Sequence, residues 1–362
     1  MPHLIRSLGW SFYAASSWTW CIGLFLPTIL MQWFGWTGFL LIAIPNCVGA
    51  AAMGLLLGSP GASRRFCRRH PAAIAAFIDV TIAFHLFFLF MAGLWLAPEG
   101  GDLPAAGVLW SVAIAYGVSW IPRKFWPLMG TAAFGVGAFV VLEWGHMLAE
   151  PAWTGQRSLW HAAWFLPVFA IGFLICPWLD GPFHRARQEV RGPWTSLLLG
   201  PLFLCMLLVT ATYWWIGDGN APEIVLVWMF GQSIFTMAAN FKERRTLPGV
   251  HTGYPAGGRA LITAAILVAA CIPAATSRDL ALDAYISLLA AYGIAFPAVV
   301  LGWCLPRSPR ISADAAARFT ILLIAAGGLG TVGFLTGPAW VAVPAAGLVL
   351  TAPWVAGRRG PA

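Results

Sequence analysis

The sequence predicts an all-α polytopic membrane protein of about 12 transmembrane helices, and three observations carry the prediction. Hydrophobic residues make up 60% of the chain and charged residues 9%, with a mean hydropathy of +0.78; so few charges cannot clothe a water-soluble surface. Apolar runs follow one another from end to end, each near the roughly 20 residues that a helix rising about 1.5 Å per residue needs to cross the bilayer. Nearly every basic residue falls in alternate gaps between those runs.

In order, the runs cover 10–32, 36–58, 72–96, 105–121, 125–148, 159–179, 195–216, 221–241, 259–276, 280–305, 316–335 and 338–356, here spans 1 to 12. They are continuously apolar rather than alternating, so helices are expected and not barrel strands. With a cytoplasmic amino terminus, the inner gaps and tails hold all the Lys and Arg residues except Arg157 and Arg278. Glu99, Asp102, Glu150, Asp218 and Asp279 fall in the outer gaps. This bias predicts a multi-pass protein of the plasma or inner membrane with both termini in the cytoplasm.

The formal net charge of +8 is spread over short gaps rather than gathered in a basic domain, which argues against nucleic acid as a partner. Trp33, Trp36, Trp120, Trp126, Trp153, Trp160, Trp214 and Trp215 fall at expected interfaces. The first apolar run lacks a small-residue cleavage site, so span 1 is expected to be retained. The seven Cys show neither a disulfide framework nor paired metal spacing. No nucleotide-binding loop, dinucleotide fingerprint or zinc-helix spacing occurs, so neither an enzyme nor a cofactor is expected.

Laying Ile22 to Pro27 on Ile171 to Pro177 relates spans 1–5 to spans 6–10 in opposite orientation. A 5+5 inverted repeat follows, with a first repeat over 1–150, a second over 159–305, and two peripheral helices over 316–356. Pairing spans 1–6 with 7–12 fits nearly as well; the Gly and Pro residues separate the two. Gly23 and Pro27 in span 1, and Pro167, Gly172, Pro177, Gly181 and Pro182 in span 6, are expected to open those helices and free backbone groups for a ligand.

The stretches Trp20 to Pro27 with Ile44-Pro45-Asn46, and Ile171 to Arg187, resemble the amino acid, polyamine and organocation transporter superfamily, with its LeuT-like fold and its sodium/solute symporter branch. The resemblance implies substrate bound between spans 1, 3, 6 and 8 beside unwound parts of 1 and 6, where Gly23, Phe25, Pro27, Gly172 and Pro177 lie. It also implies hydroxyl groups on span 8 near the break of span 1, a role that Ser233 and Thr236 fit.

Ionisable groups in lipid are costly, so each is a candidate. Asp79 is the most deeply placed carboxylate and the preferred coupling residue; His85 lies on another face of the same span. Glu143 and His146 share a face of span 5. Asn46 and Gln232 are neutral candidates for substrate contact or helix ties. Asp180 is either an inner gate pairing with an arginine or a helix cap.

The reading is a secondary active transporter moving a small molecule or ion by alternating access, Na+- or H+-coupled, with membrane lipid around it and self-association open. Two other classes stand beside it. A small major facilitator-type transporter also has twelve spans and basic inner connections, although the gap after span 6 is short for its linker. A membrane scaffold or sensor would have intact helices and no cavity.

Overall fold

The computed structural model describes residues 2–96, 103–144, 155–213, 223–247, 256–305, 313–335 and 338–356. Every expected span corresponds to a helix or a broken helix. Span 1 is a pair, α1 (Pro2–Trp18) and α2 (Cys21–Phe34), bent by 65°. Span 2 is α3 (Trp36–Leu56), followed by a short polar helix α4 (Pro60–Arg69). Spans 3 to 5 are α5 (Pro71–Leu96), α6 (Leu103–Val118) and α7 (Trp126–Trp144).

Span 6 is α8 (Leu159–Ile175) closed by a 3-10 turn over Cys176–Leu179, and a short polar α9 (Gly181–Glu189) follows it. Spans 7 to 9 are α10 (Trp194–Tyr213), α11 (Glu223–Thr246) and α12 (Ala256–Thr276). Span 10 is α13 (Arg278–Val299), ending in a π turn over Val300–Cys304; α14 (Ala313–Leu335) and α15 (Ala342–Val355) complete the chain. Among the described residues six helices are long and apolar enough to cross a membrane, and the bent pair makes a seventh. Three shorter apolar helices match spans 4, 9 and 12.

Local signals explain the helix starts. Ser59 caps α4 by accepting Ala62 N–H at 3.1 Å, and Pro60 takes the first helical position, where a missing N–H costs nothing. Ser277 caps α13 through Leu280 N–H, and Ser158 caps α8 through Trp160 N–H.

The helices pack in a defined set of pairs. α1 lies on α7 and α10; α3 lies on α8 and α10; α6 packs on α11, and α12 on α5. α13 joins α8, α12 and α14, while α14 and α15 form an outer pair. Small residues permit the closest crossings, because apolar burial gives little preference for helix over lipid and backbone approach must supply the contact. A Cβ on Gly130 of α7 would come within 2.7 Å of Tyr13 N on α1. One on Gly49 of α3 would overlap the Phe173 carbonyl oxygen and come within 2.7 Å of Leu174 Cα on α8. Gly49→Ala is therefore expected to lower stability by about 1–3 kcal/mol, read as an earlier thermal melting of the purified protein.

Two expectations are corrected. α2 runs unbroken through Gly23 and Pro27, and α8 through Pro167 and Gly172; span 1 opens instead at Thr19 and Trp20. Trp33 and Trp126, at the ends of α2 and α7, pack into the protein and are 7% and 1% exposed; the Trp126 indole donates to Ile121 O at 3.1 Å. Trp120 and Trp160 are exposed, whereas Trp153, Trp214, Trp215 and His146 lie outside the described residues. Glu143 is exposed.

Candidate functional site

The break in span 1 leaves backbone groups that other helices satisfy. Acceptors at the end of α1 face α11, where the Gln232 amide Nε2 donates to Ser16 O and, at 3.3 Å, to Thr19 O. Thr236 Oγ1 stands 3.5 Å from the same Ser16 carbonyl, while Ser233 Oγ and Gln232 Oε1 are buried without a hydrogen-bond partner.

On the other side of the break, α2 begins without a side-chain cap from its own chain neighbours. The Cys21 N–H donates instead to His85 Nε2 at 3.4 Å, and His85 Nδ1 lies 2.8 Å from Thr81 O, so Nδ1 carries the proton. Tyr285 OH donates to Cys21 O at 3.1 Å. His85 thus serves as a remote cap for a helix start that lacks one.

The break in span 6 follows local chemistry. Pro177 lies in the 3-10 turn, and Asp180 then caps α9 by accepting Phe183 N–H on Oδ1 at 2.7 Å. Its other oxygen, Oδ2, is buried without a hydrogen-bond partner. Neither neighbouring arginine pairs with it: Arg185 binds Glu243 at 2.9 Å, and Arg187 donates to Gly54 O and Val190 O. Between gate and cap, the geometry is that of a cap.

Asp180 lies just past the apolar stretch, and burial, with Glu243 nearby, raises its pKa well above the usual carboxylate range. A carboxyl whose folded pKa is raised contributes most stability when protonated and loses that contribution as pH climbs through the raised value. Asp180→Asn preserves the cap and removes the charge. The variant is expected to melt above the wild type at neutral and alkaline pH and to converge with it in acid, as a melting series across pH will read.

Between the two breaks lies a narrow cavity, partly open to the exterior. Trp18, Trp20, Ile22 and Gly23 line it from span 1, and Asn46 from span 2. Phe169, Gly172, Phe173 and Cys176 come from span 6, Tyr292 and Gly293 from span 10, and Phe334 from span 11. The lining is aromatic with few polar groups. Trp18 Nε1 donates to Asn46 Oδ1 at 2.6 Å, and Tyr292 OH lies 3.1 Å from Thr81 Oγ1. The Trp20 indole N–H is buried and has no hydrogen-bond partner. Toward α9 the floor is closed by Trp18 against Phe183, ring centres 4.8 Å apart.

Of the expected substrate residues, the structure brings Gly23, Asn46 and Gly172 to this cavity. Phe25 packs instead on Phe88 and Tyr285; Pro27 is buried inside α2 and Pro177 in the 3-10 turn. Gln232, Ser233 and Thr236 sit at the span 1 break, outside the lining. None of the lining residues belongs to spans 3 or 8, where the resemblance put half of the site. Asp79 is paired through both oxygens with Arg244, at 3.0 and 3.3 Å, and its side chain is 22% exposed. A carboxylate that meets an arginine of the basic end is thus near the rim rather than deep in the bundle.

Sequence reasoning missed Trp18, Trp20, Tyr292 and Gly293. The aromatic density of span 1 around Thr19 was the available signal for the first two.

No protein-family model matches this chain, and no curated protein matches it. Among solved structures, Mhp1 in an inward-facing conformation is similar with a TM-score of 0.45 and 13% identity, covering 95% of this chain and 90% of that one. A mutant manganese transporter of Eremococcus coleocola gives 0.43 at 12% identity, covering 98% and 92%. MhsT in complex with L-phenylalanine gives 0.42 at 13% identity, covering 96% and 98%.

Proposed function

We propose that this chain is a secondary transporter, carrying a small and mainly apolar solute by alternating access around the breaks in spans 1 and 6. One observation carries the reading: the broken span 1 and the 3-10 turn that ends the apolar stretch of span 6 meet at one partly open cavity, which is where a chain can change its opening without unfolding a whole span. The unpartnered Trp20 N–H suits a solute with a hydrogen-bond acceptor. Aromatic walls suit a planar or hydrocarbon body.

The packing favours a five-plus-five inverted repeat, with α1–α7 as the first unit and α8–α13 as the second. Exchanging spans 1–5 with 6–10 turns the α6–α11 pair into α12–α5, and α1–α7 into α8–α13, all of which pack. A six-plus-six repeat of the major facilitator kind would require α3 against α13 and α10 against α14; neither is a substantial contact among the described residues. Broken helices and a cavity also run against a scaffold.

Coupling in this reading is to a proton. The amide of Gln232 takes up the carbonyls at the end of α1, while Asp180 offers a buried carboxyl oxygen free to hold a proton. Asp79, bound to Arg244, then acts as a rim ion pair that breaks and reforms as the inner end opens.

A substrate-independent experiment tests alternating access. In a background with the native cysteines replaced, a single cysteine at Gly293, where a Cβ meets nothing within 4 Å, is expected to react with membrane-impermeant thiol reagents from either face of sealed proteoliposomes. Reaction from one face alone, across imposed pH and sodium gradients, would refute the proposal. A panel of labelled aromatic and aliphatic solutes then identifies cargo, with uptake expected to follow an inward proton gradient.

A further inference from the structure

A second cavity lies at the end of the bundle that carries α4 and α9, with about 640 Å³ of empty space that opens to the exterior. Arg64, Cys67 and Arg68 of α4 face His184, Arg185 and Gln188 of α9 across it, and Glu243 of α11 forms its side. We propose that this cavity is an anion site that binds a phosphate group through Arg64 and Arg68.

The charges at this end explain why. Glu243 engages Arg185 Nε with both oxygens, at 3.1 and 2.9 Å. Glu189 is shared between Arg6 at 3.2 Å and Arg185 at 3.7 Å, and Asp79 is taken by Arg244. Each carboxylate described near the cavity therefore already serves another arginine or, for Asp180, caps α9.

Among the described residues Arg64 donates only to the backbone carbonyl of Gln188, at 3.1 Å. Arg68 has neither an ion pair nor a side-chain hydrogen bond among the described residues. The two are four residues apart on one face of a helix that contains four arginines and no acid, an arrangement that repels itself. An anion between them relieves the repulsion, and guanidinium forks match phosphate oxygens in pairs.

The rest of the cavity is shaped to leave that charge unopposed. His184 Nε2–H donates to Trp178 O at 2.9 Å, and its Nδ1 accepts from Ser63 Oγ at 2.9 Å. Burial pushes its pKa down to about 4, so it stays neutral and rigid. Gln188 Nε2 donates to the same Ser63 hydroxyl at 3.1 Å, fixing α4 against α9.

A phosphate group reaches such a rim cavity from two sources: an anionic phospholipid headgroup, as basic pockets at span ends bind, or a soluble phosphate. Delipidated wild-type protein and the Arg64→Gln/Arg68→Gln double variant are titrated with phosphatidylglycerol in mixed micelles, with phosphatidylcholine as control. Inorganic phosphate is titrated separately against chloride at matched ionic strength, with melting temperature as the readout. Saturable stabilisation of the wild type by one of the two identifies the source, and apparent affinity is expected to fall about tenfold for each arginine removed. Both side chains are exposed, so the unliganded variant is expected to melt with the wild type. A wild type that responds to neither, or a double variant that responds equally, overturns the site.

Discussion

Gly293→Leu is expected to reduce uptake by at least about a hundredfold, the scale on which a misplaced substrate loses its reaction or transit geometry, while the protein folds normally. Gly293 lines the cavity between the breaks, yet a Cβ built on it meets nothing within 4 Å. A larger residue there starts from open space on the wall of the cavity that a solute would occupy. Gly172 on the facing helix makes a useful contrast, because its Cβ would meet Gly293 O at 3.2 Å. Gly172→Leu is expected to cost stability as well as uptake. Transport assays alongside melting curves separate the two; a Gly293→Leu protein that transports at the wild-type rate would show that solute does not pass through this cavity.

Gln232→Leu is expected to destabilise the protein by about 2–4 kcal/mol, because it leaves buried acceptors at the end of α1 without their amide donor. The residue is 2% exposed, and its Nε2 reaches both Ser16 O and Thr19 O. Carbonyls at a helix carboxyl end carry partial negative charge, and here a neutral N–H group meets them. The wild type is therefore expected to melt at the same temperature in sodium and in choline. Gln232→Glu places carboxylate oxygens against the carbonyls unless it is protonated, so its stability is expected to improve in acid. Melting curves of the three proteins in both salts and across pH measure all of this; saturable sodium stabilisation of the wild type would assign the carbonyls to a cation instead.

How much of this was legible depends on the range of the forces involved. Class and span order rest on local composition: an apolar run must lie in lipid, and its backbone must then be helical. The opening of span 6 was likewise legible, because Pro177, Asp180, Gly181 and Pro182 act within their own turn, removing donors and supplying a cap. At the same time Pro27, Pro167, Gly23 and Gly172 misled, since a helix held on its flanks tolerates them.

What only the tertiary structure decided is where span 1 opens and what surrounds the opening. Thr19 and Trp20 carry no breaking signal of their own. The chain parts there with Gln232 and His85, from two different helices, taking up backbone groups that the break exposes, and a buried backbone group without such partners is expensive. The same holds for Asp79, whose depth was misjudged until Arg244, from a helix far along the chain, fixed its level. Hydropathy and charge act on a segment by itself, so the sequence alone determined a bundle of apolar helices and their order. Satisfying a polar group inside that bundle needs a partner from elsewhere in the chain, so the break, the cavity and its aromatic walls exist only once the helices are packed.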